Sequence, residues 1–377
     1  MNRAEELREL RRVMGTAPET GAPFETKFWR GVEGIRLDLL DGPVNPYRAM
    51  YAMAVSTWGR VSSTAAARWE ETSPEGRLAV VRAVLEGQAL PLALEAPKFT
   101  LEVWNLSRWS FDQIARARVG TVFASLGTRD NHHLDMAFRM HEATAQDPER
   151  RRWFVDNAVD AKDYYRRVVE VGQGSWQEAR TWLPISCVHR FTWSINYAAV
   201  RGFCGRRMSF SEAEDTVAVA WLIRERLLRE DAYPLLGAYL RPRCDLTGAC
   251  GYHRAHTMSE AFGCLFSSCG RNPVRSAPGR AVYPAEAEVA DFNVACSDRE
   301  TIARQLQIRI PEAREERPED FRPTARDRYL FGFPPVGPEE ERDFERFSGM
   351  HRFQDDGAFP GGPVGAEVAP RAAEAFR

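Results

Sequence analysis

The sequence predicts an α+β chain, and three observations carry that reading. Residues 99–104 (FTLEVW) alternate apolar and polar side chains, as a strand with one buried face does. Around them lie segments with helical spacing, roughly 109–118, 134–171, 185–205 and 211–230. From about residue 244 that periodicity gives way to Cys, Gly and Pro, which marks an irregular C-terminal extension.

Taken in order, residues 4–14 read as a short charged helix and 15–23 as a loop. Ser73 before Pro74 is a helix start, because serine caps the first free N–H groups and proline has none to satisfy. Helical spacing then runs over 77–85 to Gly87. After the 99–104 strand, the helix over 109–118 ends at Gly120. The 134–171 stretch breaks near Asp147-Pro148. In the 185–205 helix, His189, Trp193, Asn196, Val200, Phe203 and Arg207 form one stripe if the helix reaches 207. Beyond Pro311 the chain is rich in Pro, Gly, Arg and Glu and reads as an extended or partly disordered arm. Four parts follow: a 1–44 helix and loop, a 45–243 domain, a 244–310 Cys/His-rich subdomain and a 311–377 tail.

Composition narrows the function. The 377 residues exceed one average domain, and 44% are hydrophobic against 28% charged. A net charge of −2 argues against a general nucleic-acid or membrane-surface binder. Only Lys27, Lys98 and Lys162 are lysines, which leaves 48 arginines among the 51 basic residues. None of the three lysines sits in a GxxxxGK[ST] loop, so that phosphate cradle is excluded. No apolar run reaches about eighteen residues, and the N-terminus lacks a signal-peptide core, so a cytoplasmic protein is expected. The seven cysteines, an odd number, fit reduced thiols or a metal site better than a disulfide framework.

Several constellations carry possible chemistry. Gln113 and Arg116, three apart, share a helix face, while Arg118 points about 200° away from Arg116. Taken alone, these arginines fit surface ion pairs at least as well as a ligand site. Asn196 and Arg207 are eleven residues apart, nearly eclipsed, and about 16 Å apart on a helix. That span suits a long ligand or two adjacent ones, although a core helix has the same periodicity. Cys244, Cys250, Cys264 and Cys269, with His253 and His256 nearby, are candidate zinc ligands. Their spacing is looser than a CxxC pair, so buried thiols are the favoured reading. His132, His133, Asp135 and His141 receive no role. Val171-Gly-Gln-Gly lacks the third glycine of a dinucleotide loop and follows a helix, and no GxSxG elbow is present.

These residues resemble the flavin-dependent thymidylate synthase family, ThyX. The family carries a strand, a segment SR-x4-Q-x2-RHR-x2-S, and later AR-x2-LP with an aromatic-rich helix ending in arginine. Here the first part reads FTLEVWNLSRWSFDQIARARVGT over 99–121, and the second EARTWLPISCVHRFTWSINYAAVRGFCGRR over 178–207. Upstream, YAMAVSTWGR aligns Ser56 with a family serine. The likeness spans about 45–240. It departs at the RHR triplet, which is Arg116-Ala117-Arg118, and at Ala96, Ala198 and Gly202, where the family has larger polar residues. Arg129 matches a family arginine only with a one-residue slip.

The resemblance implies helices packed on a twisted central sheet and a homotetramer with sites shared between subunits. It implies one-carbon transfer to C5 of a pyrimidine deoxynucleotide, dUMP to dTMP, with FAD as cofactor and NADPH and methylenetetrahydrofolate as co-substrates. Gln113, Arg116, Arg129, Arg180 and Arg207 would bind the nucleotide, and Arg207 would polarise the ring as the catalytic group. Ser56, Arg116, Arg118 and Asn196 would bind FAD. The nucleotide side is kept and the flavin side remodelled. Two alternatives follow: a hydroxymethylase of the same family, and a nucleotide-binding homologue without catalysis.

Overall fold

A computed structural model of the chain describes residues 26–56, 64–125, 137–172, 174–209, 212–242, 299–311 and 317–355. The expected α+β architecture is present. Strands β1 (Phe28–Arg30) and β5 (Phe138–Met140) pair in parallel as a small separate sheet. The main sheet is antiparallel and runs β2 (Arg36–Asp41), β3 (Lys98–Ser107), β6 (Val188–Asn196), β4 (Thr121–Ser125).

Alternation builds its inner face. Phe99, Leu101 and Val103 lie opposite Ile195, Trp193 and Phe191, and all six are buried. On the other face Trp104 stands between the guanidinium groups of Arg36 and Arg190, 4.7 and 4.6 Å from its ring. The strand expected over 99–104 is thus real and longer at both ends. A bulge between Val103 and Leu106, with Asn105 at φ 59°, turns its end toward the next helix.

The helices pack on the inner face. α1 (Pro46–Ser56) buries Tyr47, Met50, Tyr51, Ala54 and Val55, a stripe of helical spacing. α2 is Ala65–Glu71. α3 (Pro74–Leu85) starts as expected: the Ser73 hydroxyl accepts the Gly76 N–H and proline follows the cap. After α4 (Arg108–Ile114) come α5 (Glu142–Gln146) and α6 (Pro148–Arg166). The expected break is there: the Asp147 carboxylate caps α6 by accepting the N–H groups of Glu149 and Arg150. The preceding residues differ from the predicted helix, because β5 occupies part of that stretch.

Two further differences matter for the site. Residues 185–205 are not one helix: β6 runs to Asn196, and α8 (Tyr197–Arg207) begins after it, following the short α7 (Trp176–Ala179). His189 and Trp193 therefore belong to the sheet. The helix over 109–118 stops at Ile114, so Arg116 lies in the following turn and shares no helix face with Gln113. Once Phe111 and Ile114 are buried, the next turn offers only Ala115 and Ala117 for burial, and nothing apolar extends the helix.

α9 (Glu214–Leu228) is the central helix, with every residue from Glu214 to Trp221 buried. α10 (Pro234–Ala238) follows it. The C-terminal extension adds α11 (Arg299–Leu306), α12 (Ala325–Phe331) and α13 (Pro338–Asp355). The arm expected beyond 311 therefore contains helices, and through Leu330 and Phe331 part of it joins the main core, as Ile302 and Ile310 before it do. Phe331 stacks on Tyr47 at 4.5 Å and 9°. The Tyr47 hydroxyl donates to the buried Asp327 carboxylate, which also accepts from Leu235 N at 3.1 Å and caps α12 with Thr324. Burial pushes the Asp327 carboxyl up, against the hydrogen bonds that favour its charge.

The segments 4–14 and 15–23, Arg129, His132, His133, Asp135 and the four candidate zinc cysteines lie outside the described residues. Among the described residues, no helix is long and apolar enough to cross a membrane, and no His, Cys, Asp and Glu cluster could hold a metal ion.

Candidate active site

α4 is anchored at its start. The Ser107 hydroxyl accepts the Ser110 N–H, while Ser107 donates both its hydroxyl and its backbone N–H to Asp215. The free N–H groups of Arg108 and Trp109 bond the carbonyls of Cys187 and Ile185, at 2.9 and 3.1 Å. Asp215 stands in a buried ionic group. Arg139 lies 3.8 Å from it and donates to the carbonyls of Asn105 and Glu33. Beside it Glu214 accepts the Glu142 N–H at 2.9 Å and lies 3.5 Å from His141. Burial, reinforced by the neighbouring Asp215 charge, pushes the Glu214 carboxyl up to about 8. Burial likewise lowers the His141 imidazole. This network fixes the register between α4, α9 and the small sheet.

The C-terminal end of α4 leads to the loop 115–120, which rests on Asn196. The Gly120 carbonyl accepts the Asn196 N–H at 3.0 Å. Gly120 is left-handed at φ +71°, and a Cβ there would lie 2.4 Å from Asn196 Nδ2. Asn196 in turn caps α8, its Oδ1 accepting the Ala199 N–H at 2.8 Å. Gln113 is half-buried on the last turn of α4; Arg116 and Arg118 are exposed on the loop. None of the three side chains has a hydrogen bond or ion pair among the described residues.

Arg207 is at the opposite end of α8, about 16 Å away by helical rise. Its Nη1 donates to the buried Glu212 carboxylate, and a quarter of its side chain is exposed. Between the two ends, Val200 and Phe203 are buried in the core. The Asn196–Arg207 stripe therefore faces inward along its middle and reaches a ligand only at its ends. The neighbouring face carries Ala198 and Gly202, and a Cβ at Gly202 would meet nothing within 4 Å.

Arg180 opens a 3₁₀ turn, Arg180–Trp182, that follows α7 and packs with it on α6 through Ala179 and Tyr165. Ser56 ends α1, and its hydroxyl donates to the Ala52 carbonyl at 2.6 Å. The loop that carries Arg116 and Arg118 thus meets Asn196 at the start of α8 through Gly120, and Arg207 stands at the helix's other end. Arg180 stands on a separate helical unit. Sequence reasoning passed over Glu212 and Gly120. Glu212 has no signal beyond lying five residues after Arg207, whereas Gly120 was visible only as a helix stop.

The family model described as thymidylate synthase complementing protein matches residues 39–232, about half of the chain. The chain belongs to this family. The matched span of this ThyX chain runs from β2 to the end of α9, so α11 and α12 complete the core from outside it. Two solved structures are similar, both of the UMP/dUMP methylase PolB from Streptomyces cacaoi. The form bound with 5-Br dUMP is 16% identical, with a TM-score of 0.45, covering 54% of this chain and 92% of that one. The form bound with 5-Br UMP is also 16% identical, with a TM-score of 0.41, covering 55% and 92%. No curated protein matches the chain.

Proposed function

We propose that this ThyX-family chain transfers a one-carbon unit from methylenetetrahydrofolate to C5 of dUMP, giving dTMP with FAD and NADPH. Arg207 carries the reading. It ends the helix that completes the family motif, and its Nε and Nη2 have no partner among the described residues. A fixed cation with an open edge suits the pyrimidine carbonyls, where negative charge develops as C5 becomes nucleophilic. Arg180, Arg116 and Arg129 grip the phosphate in this reading, since guanidinium binds it bidentately and stays charged. Gln113 supplies a neutral hydrogen-bonding group beside them. Arg207 and the 115–120 loop lie at opposite ends of α8 and Arg180 on another helical unit, and a homotetramer with shared sites would bring them together.

The same loop offers groups for FAD. Arg116 and Arg118, exposed beside Asn196, fit its diphosphate as cations. On the ring side Ser56 donates to Ala52 and Asn196 Oδ1 is spent on Ala199, which leaves Asn196 Nδ2. Ala117, Ala198 and Gly202 add no side-chain donor. The site fits FAD through fewer contacts than the resemblance implies, so weakened binding is expected. When bound, FAD supplies the hydride, taken from NADPH, that completes the methyl group. The same thinning favours a second reading, in which water adds to the exocyclic methylene and a 5-hydroxymethyl nucleotide leaves.

Labelled methylenetetrahydrofolate tests both. Label recovered at C5 of the nucleotide supports the transfer, and the fraction that requires FAD separates methyl from hydroxymethyl. Binding of dUMP without transfer would leave a non-catalytic nucleotide binder.

A further inference from the structure

We infer that Glu212 is the positioning residue for Arg207, holding its guanidinium ready for the pyrimidine ring; this rests on the function proposed above. An arginine at a helix end has several rotatable bonds, and its fork samples many directions unless something holds one edge. Glu212 lies in the turn between α8 and α9, is 7% exposed, and accepts Arg207 Nη1. The described residues on either side of it are held in place. The Met208 N–H bonds the Cys204 carbonyl, the Glu212 N–H bonds the Ser209 carbonyl, and Trp221 Nε1 donates to the Met208 carbonyl at 3.3 Å. Met208 and Trp221 are both buried.

The neighbouring Arg206 shows the contrast. It is exposed and folds back on its own helix, donating to the Gly202 carbonyl at 3.3 Å. Arg207 alone of the two is held by a buried carboxylate on one side and open on the other. A charge-assisted bond of this kind orients the cation before a ligand arrives, so little reorganisation is left for the reaction. Glu212 acts through Arg207 and is placed at no reacting atom.

The test compares wild type, Glu212→Ala, Glu212→Gln, Arg207→Ala and the double variant Arg207→Ala/Glu212→Ala. Turnover and dUMP calorimetry are measured on each. Glu212→Ala is expected to lower kcat about 10- to 100-fold, with a much smaller rise in KM for dUMP. Glu212→Gln keeps an acceptor for Nη1 and recovers part of the loss; it also serves if Glu212→Ala fails to fold. In the Arg207→Ala background, where turnover is absent, removing Glu212 weakens dUMP binding by calorimetry no further. Wild-type turnover in both Glu212 variants, beside a dead Arg207→Ala, overturns the inference and leaves the functional reading standing. So does a Glu212 effect that persists in full without Arg207. If wild type itself makes no product, the functional reading fails. Calorimetry then decides Glu212 alone, expected to weaken dUMP binding only when Arg207 is present.

Discussion

Gly120 sits at φ +71° with Asn196 Nδ2 where a Cβ would be, so two penalties meet in Gly120→Ala. The left-handed backbone alone costs about 1–2 kcal/mol, and Asn196 must move as well. Denaturant unfolding should show that loss, together with weaker FAD binding because the 115–120 loop is displaced. Glu214 offers a pH test. Its carboxyl is pushed up to about 8 in the fold from an ordinary 4.5, so between those values the folded chain keeps a proton that the unfolded chain releases. Stability from this group is therefore full below about pH 4.5 and is lost as pH rises through about 8. Glu214→Gln keeps the acceptor for the Glu142 N–H without the titration. The stability of wild type relative to this variant should fall by about 1–3 kcal/mol between acid and mildly alkaline pH. A pH-independent difference would show that the burial is relieved by other means.

The elements differ in how much of them the sequence showed. Ser73-Pro74 and Asp147-Pro148 were legible because a side chain bonding its own backbone decides a helix start locally. β6 and α8 were not, since His189 and Trp193 are four apart, a spacing that fits both a strand of period two and a helical stripe. The inward neighbours Phe191 and Ile195 settle it, and sheet pairing overrides the helical stripe. α12 was hidden by the Pro-, Gly- and Arg-rich composition around it, yet Thr324-x-x-Asp327 is a capping signature. That helix bears on stability directly. Phe331→Ala removes a fully buried ring stacked on Tyr47 and should cost about 3–5 kcal/mol, read by thermal unfolding. A chain ending before residue 317 should likewise fail to give soluble, cooperatively unfolding protein. A truncated chain as stable as the whole would contradict the core membership of α12.

At the scale of the whole molecule, the described residues singled out for the nucleotide sit on separate elements of the chain. Arg207 and the 115–120 loop flank α8, and Arg180 rides on α6 and α7. A homotetramer is therefore expected, and light scattering at micromolar concentration checks it; a monomer would leave the proposed site incomplete. The family was legible from spaced arginines, glutamine and asparagine, whose order in the chain survives without neighbours. The small residues Ala117, Ala198 and Gly202, on which the proposed thinning of a flavin site rests, were legible too. The Glu212 contact was not, because it depends on how the turn after α8 closes.

The most direct measurement is the identity of the nucleotide formed from dUMP, methylenetetrahydrofolate, NADPH and FAD, read by mass spectrometry for wild type and Arg207→Ala. The account predicts one added carbon at C5 with wild type, as methyl when FAD is supplied, and none with Arg207→Ala. Unmodified dUMP from the wild-type protein, or equal product from the variant, would contradict it.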